Sequence, residues 1–148
     1  MIVRLASNES ECDEVLRHLR AADTEFIPPL SQRVNLQDYA GKLCGIAERE
    51  EAWCGAELVA LVATYCNDRE RGAYISNVSV LPAYRRQGLA NLLIAQALNR
   101  VREKYLPMIT LHLHPDNQAA LALYLRHGFT LGATEGNQLT MFMHLDRP

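Results

Sequence analysis

Six consecutive residues, Arg85-Arg86-Gln87-Gly88-Leu89-Ala90, have the types and spacing to hold a phosphate group. They follow a β-like run from Ala73 to Val80 and lead into an amphipathic helix that begins near Gly88. Gly88 and the small Ala90 let a ligand approach the backbone closely, because bulky side chains there would block it. A helix start leaves its first N–H groups unpaired, and the helix dipole adds partial positive charge at the same end. Strand, small-residue turn and helix start together make a phosphate cradle, with Arg85 and Arg86 adding cationic charge beside it. Taken alone, such a loop also serves simply for turning and solubility.

Further along comes Asn117-Gln118-Ala119-Ala120-Leu121-Ala122-Leu123-Tyr124-Leu125-Arg126-His127-Gly128-Phe129. With both segments in view, the chain resembles the GNAT superfamily of N-acetyltransferases. In that family an Arg/Gln-x-x-Gly-x-Gly/Ala loop binds the pyrophosphate of acetyl-coenzyme A, and Arg85 to Ala90 is similar to it, with Ala in the last place. The family's later Asn-x-x-Ala-x-x-x-Tyr-x-x-x-Gly-Phe signature is similar to Asn117, Ala120, Tyr124, Gly128 and Phe129. The resemblance covers Ala73 to Phe129 by motif and the terminal regions by element order. It implies a mixed α/β fold: a mostly antiparallel sheet of six to seven strands, splayed at the cofactor site and flanked by about four helices. It also implies acetyl-coenzyme A as acyl donor, seated between the strands holding Ala73 to Val80 and Ile109 to His114. Backbone groups around Val78 and Val80 would then pair with the pantetheine arm and polarise the thioester carbonyl. Amides of Arg86, Gln87, Gly88, Leu89, Ala90 and Asn91 would hold pyrophosphate, beside Arg85.

Transfer from a thioester to an amine needs both substrates oriented, removal of the ammonium proton and a proton for the thiolate. The resemblance makes Tyr124 the acid that protonates the departing thiolate. A phenol of pKa about 10 stays protonated at neutral pH and donates as sulfur gains charge. Read without the motif, Tyr124 is an aromatic on the inner face of a helix, beside Ala120, Leu121 and Leu123. Asn117 can cap that helix, a role worth roughly 1 kcal/mol; the resemblance adds a contact to pantetheine or to a site water. For the base, many family members carry a glutamate at about the position of Ser76, which here could hold only a relaying water. Others carry one on the later strand, where this chain has Leu111-His112-Leu113. His112 takes that glutamate's place, with an unperturbed pKa of about 6.5 suited to accepting a proton. A strand histidine is as often a structural hydrogen bonder. His114 shares the face of His112 by period-two alternation, and with Asp116 the pair forms no recognised metal-ligand pattern.

The elements that must position these groups alternate between helical and strand periodicity. Ile2, Val3 and Leu5 suggest a short first strand. Ser10 to about Thr24 reads as a helix, with Ser10 as cap and Val15, Leu16 and Leu19 on one face. Pro28 and Pro29 force the chain out of helical geometry. A second helix starts with Asn35 as cap and runs to about Glu48. Ala52 to Cys54 and Leu58 to Cys66 read as a hairpin around Gly55-Ala56-Glu57. Ala73 to Val80 is the strand that feeds the cradle, and Gly88 to about Lys104 carries a broad apolar stripe. Ile109 to His114 is a buried strand, and Asn117 to His127 is a helix ended by Gly128. Phe129 to Ala133 and Leu139 to Leu145 form a closing strand pair. No repeat, low-complexity tract or linker interrupts this order, so residues 1–148 are expected to form one domain.

Composition excludes several classes. A chain of 148 residues with 49% hydrophobic content suits one core. A net charge of -2 gives no basic footprint for nucleic acid and disfavours a polycationic acceptor. No apolar run approaches about 18 residues, so no membrane span is expected, and the N-terminus lacks the apolar core of a signal peptide. Cys12, Cys44, Cys54 and Cys66 form no C-x-x-C pair and read as reduced thiols. A cytoplasmic protein is the expectation. The acceptor's walls are implied at Phe26 to Tyr39, Asn67-Asp68 and Thr134 to Gln138, with Arg33, Asp38, Tyr65, Asn67 and Asp68 as polar candidates. The expected activity is direct, ternary-complex transfer of acetyl from acetyl-coenzyme A to a primary amine of a small-molecule acceptor, with no metal. A non-catalytic acyl-coenzyme A binding domain and an N-terminal protein acetyltransferase remain as alternatives, and the resemblance leaves a homodimer open. A nucleotide-binding module is disfavoured, since neither G-x-x-x-x-G-K-S/T nor G-x-G-x-x-G occurs.

Overall fold

The computed structural model describes residues 2–145; residue 1 and residues 146–148 of the expected domain lie outside them. The described residues form β1 (Arg4–Ser7), α1 (Cys12–Ala22), α2 (Leu36–Ile46), β2 (Glu48–Cys54), β3 (Glu57–Tyr65), β4 (Ala73–Val80), α3 (Leu89–Glu103), β5 (Met108–Leu113), α4 (Gln118–Arg126), β6 (Thr130–Glu135) and β7 (Gln138–His144). One sheet takes all seven strands in the order β1-β2-β3-β4-β5-β7-β6. Every neighbouring pair is antiparallel except β4 and β5. The fold is the mixed α/β arrangement expected from the sequence.

Strand alternation sends apolar side chains to both faces of the sheet, and helices cover both. On one face α3 buries Leu93, Ile94, Ala97 and Val101 against Val62, Ile109, Leu111 and Met141. On the other, Val15 and Leu19 of α1 and Leu43 of α2 pack on Trp53, Leu61 and Ala63. Each such large side chain contributes roughly 1.5–3 kcal/mol by leaving water. Among the described residues no helix is long and apolar enough to cross a membrane.

Three boundaries differ from expectation, each for a physical reason. β2 starts at Glu48 rather than Ala52, although its first four residues are all charged. Arg49, Glu50 and Glu51 are buried, and burial is tolerated because each charge is matched. Glu51 accepts from the backbone N–H of Glu9 and Ser10 at 2.9 and 3.1 Å, and from the Ser10 hydroxyl. Arg49 Nε donates to Ser10 Oγ at 2.8 Å, and Arg100 Nε donates to Glu50 at 2.7 Å. Ser10 is committed to this network and does not cap α1. Glu11 does, in a reciprocal box whose return bond runs from Glu11 N–H to Glu14 at 2.9 Å. At the far edge β6 continues to Glu135, so the turn closes over Gly136 and Asn137 rather than Thr134 to Gln138.

His18 joins the two halves of the framework. Its Nδ1 lies 2.8 Å from the Leu58 carbonyl and its Nε2 2.7 Å from Ser79 Oγ, so α1 is tied to β3 and β4. Burial pushes the imidazole pKa down to about 4, partly opposed by the Leu58 contact.

Candidate active site

β4 and β5 pair only at Ala73 with Ile109, Tyr74 with Thr110 and Ile75 with Leu111. Beyond that the two strands no longer pair with each other and part into a wedge. The departure coincides with a β-bulge. Against β3, Ala63 faces Asn77 and Thr64 faces Ile75, which leaves Ser76 as the extra residue. A bulge bends the strand and increases its twist. Tyr39 of α2 pins this point: its hydroxyl donates to the Ser76 carbonyl at 2.9 Å. The Ser76 hydroxyl, 2.6 Å away, is then the donor to Tyr39 Oη. Burial raises the Tyr39 phenol well above its usual pKa, so it stays a donor.

The wedge opens on a cavity of about 1130 Å³. At one end is the loop after β4, where Arg86 and Gly88 have φ of 63° and 76°. The first bond of α3 runs from Leu92 N–H to the Gly88 carbonyl at 3.1 Å, so the N–H groups of Leu89, Ala90 and Asn91 precede the helix ladder. A Cβ built on Gly88 would project into open space. Arg85 closes against the opposite wall through a 3.0 Å pair with Glu25. Arg86 and Arg126 line the cavity with no carboxylate at ion-pair distance among the described residues. His127 Nε2 lies 3.0 Å from Asn91 Oδ1 and ties the end of α4 to the start of α3.

Val78, Val80, Arg85, Arg86, Gly88, Leu89, Ala90 and Asn91 all line this cavity, as do Asn117 and Tyr124; Gln87 does not. His112 and His114 line it from β5 and its end. Tyr124 is buried, with its ring edge-on to Phe129 at 5.8 Å, and burial raises its phenol pKa well above the usual range. Asn117 caps α4, its Oδ1 accepting from Ala120 N–H at 3.2 Å, which leaves the amide nitrogen for other partners. His112 Nδ1 lies 3.0 Å from Thr140 Oγ1 and its ring 5.3 Å from that of Tyr74. Burial lowers its pKa, partly offset by the Glu135 charge. His114 Nδ1 accepts from Asp116 N–H at 3.0 Å.

Of the polar residues singled out for the acceptor, Arg33 lines the cavity, while Asp38, Tyr65, Asn67 and Asp68 do not. Asp68 instead accepts from the N–H groups of Glu70 and Arg71 in its own turn. The sequence does not single out Glu25, Tyr74 or Arg126 in the lining, and it puts Tyr39 at the edge of the acceptor's wall without its hold on Ser76. Tyr39 falls on the inward stripe of α2 with Leu36 and Leu43, where spacing signals packing rather than a clamp on a bulge.

Residues 12–129 match the sequence model of the acetyltransferase (GNAT) family. Solved structures share the fold. The PaiA N-acetyltransferase from Thermoplasma acidophilum in complex with coenzyme A is 14% identical, covering 98% of this chain and 100% of that one at a TM-score of 0.77. The ribosomal-protein-S18-alanine N-acetyltransferase from Escherichia coli is 20% identical over 97% of this chain and 93% of its own, with a TM-score of 0.75. A GNAT family acetyltransferase from Elizabethkingia anophelis with acetyl-CoA bound is 15% identical over 97% and 98%, at 0.73. At these identities the structural likeness is one of fold. The sequence match spans both the loop at Arg85 to Ala90 and the segment carrying Tyr124, and by it the chain belongs to the GNAT acetyltransferase family.

Proposed function

We propose that this chain acts as one GNAT-type domain, transferring an acetyl group from acetyl-coenzyme A to the primary amine of a small-molecule acceptor in a ternary complex. The observation that carries this reading is the wedge beyond Ile75 and Leu111. One end is an anion cradle, and the walls carry a buried phenol and an imidazole. The residues fit the donor. Gly88 keeps a left-handed backbone and leaves open space where a side chain would stand. The N–H groups at the start of α3 face an anion favourably, and Arg86 and Arg126 have charge to offer it. Along β4, residues past Ile75 have no strand partner on the β5 side, so backbone groups near Val78 and Val80 are available to an extended amide-bearing arm.

Acetyl-coenzyme A supplies an activated thioester, and the remaining work falls to the chain. Tyr124 Oη, kept protonated by burial, holds the proton the sulfur takes up. With Nδ1–H donating to Thr140 Oγ1, His112 keeps its lone pair on Nε2 and can take the ammonium proton. Its lowered pKa leaves it neutral at physiological pH. Ser76 carries no base and its hydroxyl is engaged by Tyr39, which favours His112 over a relay through Ser76. None of the four cysteines lines the cavity, which favours direct transfer over an acetyl-cysteine route. The chain is expected to work in the cytoplasm. The test is an amine screen that detects free thiol and acetylated product. Acetyl-coenzyme A binding with no product from any amine would turn the reading toward a binding domain.

A further inference from the structure

Two thiols from different helices meet on the sheet face opposite α3. Cys12 is the first residue of α1, and Cys44 stands in the last turn of α2. The packing of α1 on α2 brings the side chains together, and Cys44 S–H donates to Cys12 Sγ. The backbone shows the same meeting. Arg49 Nη2 donates to the Ser10 carbonyl at 3.0 Å and its Nη1 to the Cys44 carbonyl at 3.2 Å. One guanidinium thus holds the chain just before Cys12 against the turn that carries Cys44. Cys12 is exposed, whereas Cys44 packs partly buried on the core that includes Leu43 and Trp53. Burial, with the Cys12 contact, pushes the Cys44 thiol up to about 12, so it stays protonated. Cys66 has a different partner, its Sγ donating to the Thr64 carbonyl at 3.9 Å. Neither Cys12 nor Cys44 lines the cavity, so the transfer reaction leaves both thiols without a task.

We propose that Cys12 and Cys44 are a reversible redox pair, closing to a disulfide that staples α1 to α2 when the chain meets a peroxide. The exposed Cys12 sulfur attacks one peroxide oxygen and the O–O bond breaks. Cys12 becomes a sulfenic acid, and with hydrogen peroxide the other oxygen leaves as water. Cys44 then attacks the Cys12 sulfur. An S–S bond forms, the S–O bond breaks, and a second water leaves with the Cys44 proton. Each sulfur gives up one electron, and the two peroxide oxygens end as two waters. A small thiol reopens the bond by exchange, so in a reducing compartment the pair rests open. The staple reaches further than the two helices. His18 of α1 is bonded to Ser79 and Tyr39 of α2 to Ser76, so the bond joins both helices that grip β4 along the wedge.

The test treats the full chain with hydrogen peroxide and follows it by peptide mass spectrometry and by melting. Trypsin releases Cys12 in residues 5–17, Cys44 in residues 43–49, and Cys54 with Cys66 in residues 50–69. The expected product joins the first two peptides, lighter than their sum by two hydrogens, with no covalent dimer on a non-reducing gel. Closing a loop of about 30 residues should raise Tm by roughly 5–10 °C, and dithiothreitol should reverse both changes. Cys12→Ser, at an exposed site, should leave the Cys44 peptide as a free thiol and abolish the rise in Tm. Cys44→Ser should stop Cys12 at the sulfenic acid, where dimedone traps it. Cys12 recovered as a sulfinic acid beside an unmodified Cys44 would overturn the proposal. So would a bond between separate copies of the chain, a bond from Cys12 to Cys54 or Cys66, or a Tm that peroxide does not raise.

Discussion

The two ends of the wedge are built in opposite ways. At the cradle, Arg85 to Asn91 are neighbours in the chain, and a left-handed glycine followed by a helix start makes most of the geometry. At the other end Arg33, Tyr39, Tyr74, His112 and Gln138 come from separate elements and meet only once the sheet is in register. The first end depends on local backbone preference. The second depends on a bulge at Ser76 and on the tyrosine that holds it. Changes at the cradle should therefore act on the donor, changes at the far end on the acceptor, and changes between them on the chemistry.

The largest effect is expected between the two ends. Tyr124→Phe keeps the ring against Phe129 and should lower kcat on the order of 10²–10⁴-fold with little change in donor affinity. Wild-type turnover where chemistry limits the rate would remove Tyr124 from the proton path. Next comes Gly88→Val. Nothing crowds this Cβ, so the cost to folding is that of the left-handed backbone, about 1–2 kcal/mol outside glycine. Donor binding should weaken about tenfold or more by calorimetry, with acceptor KM hardly moved; a shift in acceptor KM instead would break the division of labour. His112→Gln should act mainly below neutrality. A base is lost on protonation, so kcat/KM should fall as pH drops through a value below the ordinary 6.5, since burial lowers this imidazole. The variant should lose that limb; a limb that survives in it moves the base elsewhere. The smallest effect belongs to Tyr39→Phe. Losing the hydroxyl that clamps Ser76 should cost about 1 kcal/mol of stability and raise acceptor KM a few-fold, with donor affinity held. Equal losses for both substrates would show that the bulge serves the cradle as well.

The same contrast divides what is legible in the sequence from what is not. The cradle and the α4 segment carry their geometry in residue type and spacing, so their elements and contents were legible. The first half of β2 was not, because Glu48-Arg49-Glu50-Glu51 reads as a polar connection. It becomes a buried strand only through partners such as Ser10, about 40 positions distant, and Arg100, 50 positions distant. Ser10 misled for the same reason, since a serine before acidic residues signals a cap unless something remote claims it. Tyr39 and Arg33 leave no periodic trace that separates them from packing and solvated loop. Long-range polar pairing is where single-sequence reasoning loses its grip in this chain.

The His18 bridge carries a consequence for any acid titration. Its folded pKa of about 4 lies below the unfolded value of 6.5, so between these the unfolded chain binds the proton the folded one refuses. The stability it supports is whole above pH 6.5 and drains away as pH falls toward 4, by up to about 3 kcal/mol. Because Ser79 is the ring's partner on β4, the protonation that loosens α1 also reaches a wall of the reaction chamber. A rate that declines in acid thus has two proton ledgers behind it, one conformational and one chemical. Melting temperature followed over the same pH range separates them: the conformational part moves Tm in the wild type and in His112→Gln alike, and only the chemical part disappears with the imidazole of His112.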